Sequence, residues 1–431
     1  MMNKLELLGI DQDIYFEKLD NGLEVYILPF KNKNNYFVSY FTKFGSLILD
    51  FYSEDEKKMI HVPEGIAHFL EHKMFEQEDG VDPFEFFAKS GTGCNASTSY
   101  KATRYYCMGT ENLHENLDYL INYVNSPYFT DENVEKEKGI ICEEINMLKD
   151  NPEWFAEEEM QRMLYQKHSF RIPIAGSCES VRTITKEDLY NTYNAFYNPN
   201  NMYLMIGGEV NPEEIIKIIK NNKILNEKEK REIPEIKKVK EPINVKEKYK
   251  EVELDNVKTN KLGYAIKIDS TMFKEKDKFE LSLYIGMILN IYFGSTSIFK
   301  DEMLEKGYLS TLYLERMYVD DFLIIEFWAE TDKPNELIKE LNKHFKNYQV
   351  TKEEVERCKK VWISSEVMTT DNVEATISAL INDIIEYDEI KTNKIEYIRN
   401  MNYEKLLKIK EKIDFSNTST LILKNKEKKD D

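Results

Sequence analysis

Residues 15–30, YFEKLDNGLEVYILPF, alternate apolar and polar positions on either side of Asn21-Gly22. This is the pattern of two strands joined by a tight hairpin. A further strand is predicted over 35–46, NYFVSYFTKFGS. After Pro63 the period changes: GIAHFLEHKMF carries apolar residues at helical spacing, and PFEFFAKSG (83–91) reads as a short helix ending at Gly91. CNASTSYKATRYYCMG (94–109) returns to alternation and is read as strands. A helix follows over 132–151, stopped by Asn151-Pro152, then a strand at 202–208 and a helix at 212–222. The second half repeats the rhythm, with a strand at 260–268, long helices from about 277, strands at 308–318 and 322–330, then helices. The predicted class is α+β: two similar domains, each an antiparallel-rich sheet with helices packed on one face.

Composition refines this outline. A length of 431 residues suggests two domains. Residues 1–225 are predicted as the first domain, 226–251 as a solvated charged linker with two prolines, and 252–431 as the second domain. The net charge of −19 argues against nucleic acid or an anionic membrane as partner and suits a basic or neutral peptide better. No window reaches the apolar length of a membrane span, and LSLYIGMILNIYFG (281–294) reads as a buried helix. The N-terminus lacks the apolar core of a signal peptide. Five scattered cysteines without a CxxC pair fit a reducing, cytoplasmic setting.

The candidate chemistry lies in HFLEH, residues 68–72, in a chain with only six histidines. On a helix His68 and His72 share a face, so both imidazoles can reach one metal ion, and Glu71 lies beside that face as a candidate base. This is the inverted H-x-x-E-H arrangement. The alternative is two surface histidines on an amphipathic helix. A catalytic zinc needs a third protein ligand, and His61, His114, His168 and His344 form no evident partner pair. Glu137 and Glu144 are seven apart on the 132–151 helix and share a face, with Ile140, Ile141, Ile145 and Met147 tying the helix to a core. They are candidates for a ligand and a supporting group. From spacing alone a solvated acidic face is the better reading.

LDNGLEVYILP, GIAHFLEHKMFE, CNASTSYKATRYY, VEKEKGIICEEI and FYNPNNMYLMIGG occur in that order over roughly the first 210 residues. Together they resemble the pitrilysin-type zinc peptidases, the family of insulin-degrading enzyme and mitochondrial processing peptidase, and are most similar to its YmfH-like subgroup from Gram-positive bacteria. The resemblance implies a zinc metalloendopeptidase with one zinc per chain, bound by His68, His72 and Glu144. Glu71 would be the general base toward the attacking water, and Glu137 a residue supporting the ligands. Asn95, Ala96, Ser97 and Thr98 match the family's substrate-binding edge, where a short or unfolded peptide adds as an extra strand.

The second half matches less well. Many relatives place there an Arg and a Tyr, seven apart, that hold the substrate. Aligning on Gly307 puts Met303 and Ser310 at those positions. The resemblance therefore implies a partner chain: a related zinc-free subunit carrying the Arg and Tyr, or a second copy of this chain. A non-catalytic assembly or peptide-binding subunit is the alternative function, which the complete His68, Glu71, His72 and Glu144 set disfavours. His168 reads as structural, His61 as a loop residue and Cys142 as buried. Neither Cys94 nor Cys142 has a histidine spaced to activate it.

Overall fold

The computed structural model describes residues 2–273 and 277–426. The final five residues of the predicted second domain, and 274–276 within it, lie outside the described residues. The strands in chain order are β1 (Asn3–Glu6), β2 (Asp13–Lys18), β3 (Glu24–Pro29), β4 (Tyr36–Thr42), β5 (Asp50–Ser53), β6 (Lys58–His61), β7 (Gly93–Thr98), β8 (Thr103–Gly109), β9 (Met202–Gly208), β10 (Tyr249–Leu254), β11 (Lys261–Asp269), β12 (Thr311–Val319), β13 (Phe322–Glu330) and β14 (Thr418–Asn425). Five helices of the first half matter below: α1 (Ile66–Lys73), α2 (Pro83–Lys89), α3 (Leu113–Val124), α4 (Asp131–Lys149) and α5 (Pro152–Leu164).

One compact unit comprises 1–145, 173–238 and 366–394. Its sheet runs β1-β2-β3-β9-β4-β8-β7, with every neighbouring pair antiparallel except β3 and β9. The β2–β3 turn is the predicted hairpin, and Gly22 supplies its left-handed residue at φ 93°. β4 is buried at every position, so both faces of the sheet must be covered there. Tyr36 and Tyr40 point to the α3 side, where Asn116 and Asn125 donate to their hydroxyls at 2.7 and 3.2 Å. Phe37 and Phe41 point the other way and join Val373 and Ile377 in one apolar cluster. Those two residues belong to the helix Val373–Tyr387, which packs on β4 and β9.

The second unit comprises 146–172, 239–365 and 395–431. Its sheet, β10-β14-β11-β13-β12, repeats the pattern of one parallel pair followed by antiparallel neighbours. Leu262, Tyr264, Ile266 and Ile268 of β11 enter the main core with the helix Lys278–Phe293, which is buried on nearly every side. The apolar run at 281–294 is thus a core helix. On the opposite face Gly263 admits Met160 of α5, since a Cβ would lie 2.8 Å from its Cε. Lys267 there donates to the Leu164 carbonyl at 3.1 Å and to Glu241 at 2.8 Å.

The chain is therefore α+β with two similar sheet-and-helix units. In each, a helix also covers the second face of the sheet, and that helix comes from the other half of the sequence. The predicted one-sided packing describes only the main helical layer. An alternating strand pattern cannot say which distant helix covers a face that is apolar at Phe37 and Phe41.

Candidate active site

The local sequence explains where α1 sits. Gly65 precedes the helix at φ 88°, and a Cβ there would lie 2.4 Å from the Ala175 carbonyl oxygen, so only glycine fits this entry. Ile66, Phe69, Leu70 and Lys73 form the buried stripe of α1. This turns His68 and His72, one turn apart, together toward α4. The start of α4 is capped reciprocally: Thr130 N–H donates to Asn133 Oδ1 at 2.9 Å, and Asn133 N–H to Thr130 Oγ1 at 3.1 Å. Val134, Glu137, Ile141, Cys142 and Ile145 form its buried stripe. The expected core role of Ile140 and Met147 does not hold, because they are 46% and 65% exposed. The inward stripe follows 134, 137, 141 and 145, which leaves 140 and 147 on the outside.

His68, His72 and Glu144 offer ligand atoms that all lie within 4.8 Å of one another. His68 Nε2 is 3.6 Å from Glu144 Oε1, and His72 Nε2 is 3.4 Å from Glu144 Oε2. A tetrahedral zinc with arms of about 2.0–2.1 Å holds its ligand atoms about 3.3–3.5 Å apart. The His72 separation is that of neighbouring ligands around one ion, and His68 lies just beyond it from the other carboxylate oxygen, so a small side-chain adjustment lets the three residues fit the metal. Glu137 Oε1 lies 3.1 Å from His72 Nδ1, which fixes that ring and turns its Nε2 to the same point. His68 Nδ1 is buried with no hydrogen-bond partner among the described residues.

Electrostatics divide the two histidines. Burial, helped by the neighbouring His72, lowers the pKa of His68 to about 4, so it is neutral and ready to ligate at pH 7. Burial also opposes charge on His72, but bonds to Glu137 and Glu144 outweigh it and raise its pKa to about 9. A metal ion bound at His72 Nε2 would displace that proton. The carboxyl of Glu144 is held low, first by His72 and then, against burial, by His68. Burial pushes Glu71 upward, and a 2.6 Å hydrogen bond donated by Thr98 Oγ1 to its Oε2 pulls it partly back.

β7 is the edge strand of its sheet and, among the described residues, pairs with β8 alone. Asn95 and Ser97 are exposed along it, Ala96 is buried, and Thr98 reaches Glu71. The four residues of the expected binding edge therefore split. Three line an open strand edge, and one also positions the candidate base. A cavity of about 690 Å³ adjoins this edge and is lined by Glu71, His72, Phe75, Phe84, Asn95 and Glu137. Phe75 and Phe84 stack on its wall at 4.5 Å between ring centroids.

Residues kept apart from the cluster are equally clear. His61 is exposed beside Asp50 at 3.3 Å, and His168 pairs with Asp320 at 3.0 Å in the second unit. Met303 is fully buried in the second unit's core, and Ser310 is exposed at the entry to β12. One contact and one residue went unread in the sequence. The Thr98 contact to Glu71 left no signal beyond the residue's place on the edge. Lys73 did leave one, because it is a charge at the fourth position of the apolar stripe Ile66, Phe69, Leu70.

An α+β chain that sets an inverted H-x-x-E-H helix against a carboxylate-bearing second helix defines the inverzincin class of metal site. The comparisons agree. Residues 59–177 match the profile described as Insulinase (Peptidase family M16), and residues 183–361 match the Peptidase M16 inactive domain. The uncharacterized zinc protease YmfH of Bacillus subtilis is 40% identical over 347 residues, 79% of this chain and 80% of that protein. The chain belongs to peptidase family M16, the insulinase family. Among solved structures, an M16-like peptidase from Alicyclobacillus acidocaldarius superposes with a TM-score of 0.88 at 28% identity, covering 97% of this chain and 99% of its own. The periplasmic protease PqqL from Escherichia coli shares the fold at a TM-score of 0.76 and 19% identity. That match covers 98% of this chain but 48% of PqqL.

Proposed function

We propose that this chain is a zinc metalloendopeptidase that hydrolyses short or unfolded peptides laid along β7. The observation that carries the reading is the spacing of His68, His72 and Glu144 around one point, with Glu71 half-buried beside them on the helix of the two histidines. These three residues would hold one zinc ion per chain. When bound, zinc supplies Lewis acidity that polarises a scissile carbonyl and acidifies water at neutral pH.

The rest belongs to the protein. The open edge of β7 would take an extended peptide as a further strand, with the Ala96 N–H, which donates to Asn95 Oδ1 at 2.9 Å, as a main-chain donor the peptide would take over. Thr98 holds the Glu71 carboxylate in one orientation. Glu71 takes the proton of the attacking water as the new carbon–oxygen bond forms. It then delivers that proton to the amide nitrogen as the carbon–nitrogen bond breaks. Burial suits Glu71 to both tasks, since a raised pKa makes it a better proton acceptor and still able to donate.

For assembly we propose a dimer, with a related zinc-free chain as first partner and a second copy as runner-up. Two observations support it. By the family resemblance, Met303 and Ser310 stand where many relatives carry Arg and Tyr, and Met303 is buried in a core. The PqqL chain is about twice the length that this chain matches. The cysteines are unbridged, which suits a cytoplasmic location. The second reading, a non-catalytic subunit, draws on the inactive-domain match at 183–361, but that stretch contains none of His68, Glu71, His72 or Glu144.

The test is peptide cleavage, read by mass spectrometry on a mixture of unfolded peptides. It uses the chain with its partner, as wild type and as Glu71→Gln at equal zinc content. Cleavage by the wild type alone supports the proposal. Equal cleavage by both removes Glu71 from the reaction.

A further inference from the structure

Lys73 follows His72 directly, and its side chain is fully buried, 0% exposed. It occupies the position in the α1 stripe that an apolar residue would fill at no electrostatic cost. Burying an ammonium is unfavourable unless charges and acceptors surround it. Here they do. The Nζ donates to the Asn133 carbonyl at 3.3 Å, pairs with Glu76, and lies 3.8 Å from Glu137 Oε2. The other oxygen of the same carboxylate, Oε1, lies 3.1 Å from His72 Nδ1. One buried carboxylate is therefore divided between a lysine on one oxygen and a proposed metal ligand on the other.

We infer that Lys73 is a positioning residue that sets the metal site through Glu137. This rests on the zinc-peptidase reading above and deepens it. Glu137 uses one oxygen on His72 Nδ1, and its other oxygen is left to a buried cation that can hold the carboxylate in place. Lys73 provides that cation from inside the core, on the helix that also carries His68 and His72. It fixes the carboxylate plane, and the plane fixes the His72 ring. Asn133 belongs to the cap of α4, so the Lys73 contact to its carbonyl also ties the ligand-bearing α1 to the helix that carries Glu137 and Glu144. Lys73 touches neither substrate nor metal in this scheme.

The test is a double-mutant cycle on zinc affinity, measured at pH 9.5, where proton competition at His72 is minor, by competition with a chromophoric chelator, in the full chain. Lys73→Met removes the charge and keeps the length, and Lys73→Gln keeps a donor without the charge. If Met prevents folding, Gln reads the same quantity, and thermal unfolding of the metal-free forms verifies that each variant is folded. Loss of a supporting partner lowers metal affinity about 10–100-fold. We expect a loss of that size for each Lys73 variant and for Glu137→Gln. The double variants should be no weaker than Glu137→Gln alone, within about twofold, because Lys73 acts through Glu137. Wild-type affinity in the Lys73 variants, or losses that multiply with Glu137→Gln, would overturn the inference. A wild type that binds no zinc would overturn the peptidase reading itself, and is told apart because no cycle could then be measured.

Discussion

Thr98 Oγ1 donates a 2.6 Å hydrogen bond to Oε2 of Glu71. It joins the last residue of the edge strand β7 to the candidate base on α1, so the surface proposed to hold the peptide and the group proposed to move its proton are one mechanical unit. A hydrogen bond to a charged group is worth about 1.5–3 kcal/mol. Thr98→Val is therefore expected to lower kcat/KM about tenfold or more. The bond favours the ionised carboxylate, so its loss raises the Glu71 pKa further and moves the acidic limb of the pH–rate profile to higher pH. An unmoved acidic limb would separate Thr98 from the base.

Glu71→Gln removes the proton acceptor and leaves His68, His72 and Glu144 in place. General acid–base catalysis contributes about 10²–10⁴-fold, so kcat is expected to fall by that order while bound zinc stays at the wild-type amount. Steady-state kinetics paired with metal analysis of the same sample checks both halves. Loss of zinc in this variant would make Glu71 a ligand instead.

Zinc binding is expected to release one proton at neutral pH, from His72. Its metal-free pKa of about 9 means that zinc competes with a proton below that pH, whereas His68, near 4, is already neutral. Affinity should rise about tenfold per pH unit from pH 7 and level off near 9. The same raised value has the opposite effect on the metal-free protein. A histidine whose folded pKa exceeds its unfolded 6.5 contributes stability that is complete below about 6.5 and fades as pH rises to about 9. Thermal unfolding of the metal-free protein at pH 6 and pH 9.5, with His72→Gln as control, reads that change. A flat affinity between pH 7 and 9 would contradict it.

Ile377 packs on the Phe37 and Phe41 face of the first unit's sheet, although it lies far along the chain. Ile377→Ala should destabilise that unit by about 2–5 kcal/mol. A fragment of residues 1–225 lacks the whole helix Val373–Tyr387 and should expose that face and aggregate. Denaturant unfolding of the variant and sedimentation of the fragment check these outcomes. A fragment that folds as a stable monomer would show that the sheet does not need its distant helix.

Much of this was legible in the sequence, and the reasons differ by element. Asn21-Gly22 between alternating runs marked a hairpin because turn chemistry is local. The strands at 202–208 and 322–330 coincide with β9 and β13 because both are short, mostly apolar runs rich in strand-forming residues. His68 and His72 were readable because helical spacing alone puts them on one face. Glu144 was not separable from Glu137 by spacing, since seven residues return to the same side. The structure distinguishes them by what each reaches: Glu137 the far nitrogen of His72, Glu144 the near nitrogens of both histidines. The covering of the sheets was hidden, because which helix lies on Phe37 is a long-range fact that no local pattern encodes. Lys73 stood in view as a charge in an apolar stripe, and only its burial and the two-sided use of Glu137 give it a meaning.

The central claim is that His68, His72 and Glu144 form one zinc site, and metal content tests it most directly. The purified chain is reconstituted with zinc, dialysed and measured by elemental analysis, beside Glu144→Ala and His72→Ala. One zinc is expected per wild-type chain and none held after dialysis by either variant, with all three folded. A wild-type chain that retains no stoichiometric zinc, or a Glu144→Ala chain that retains as much as wild type, would contradict it.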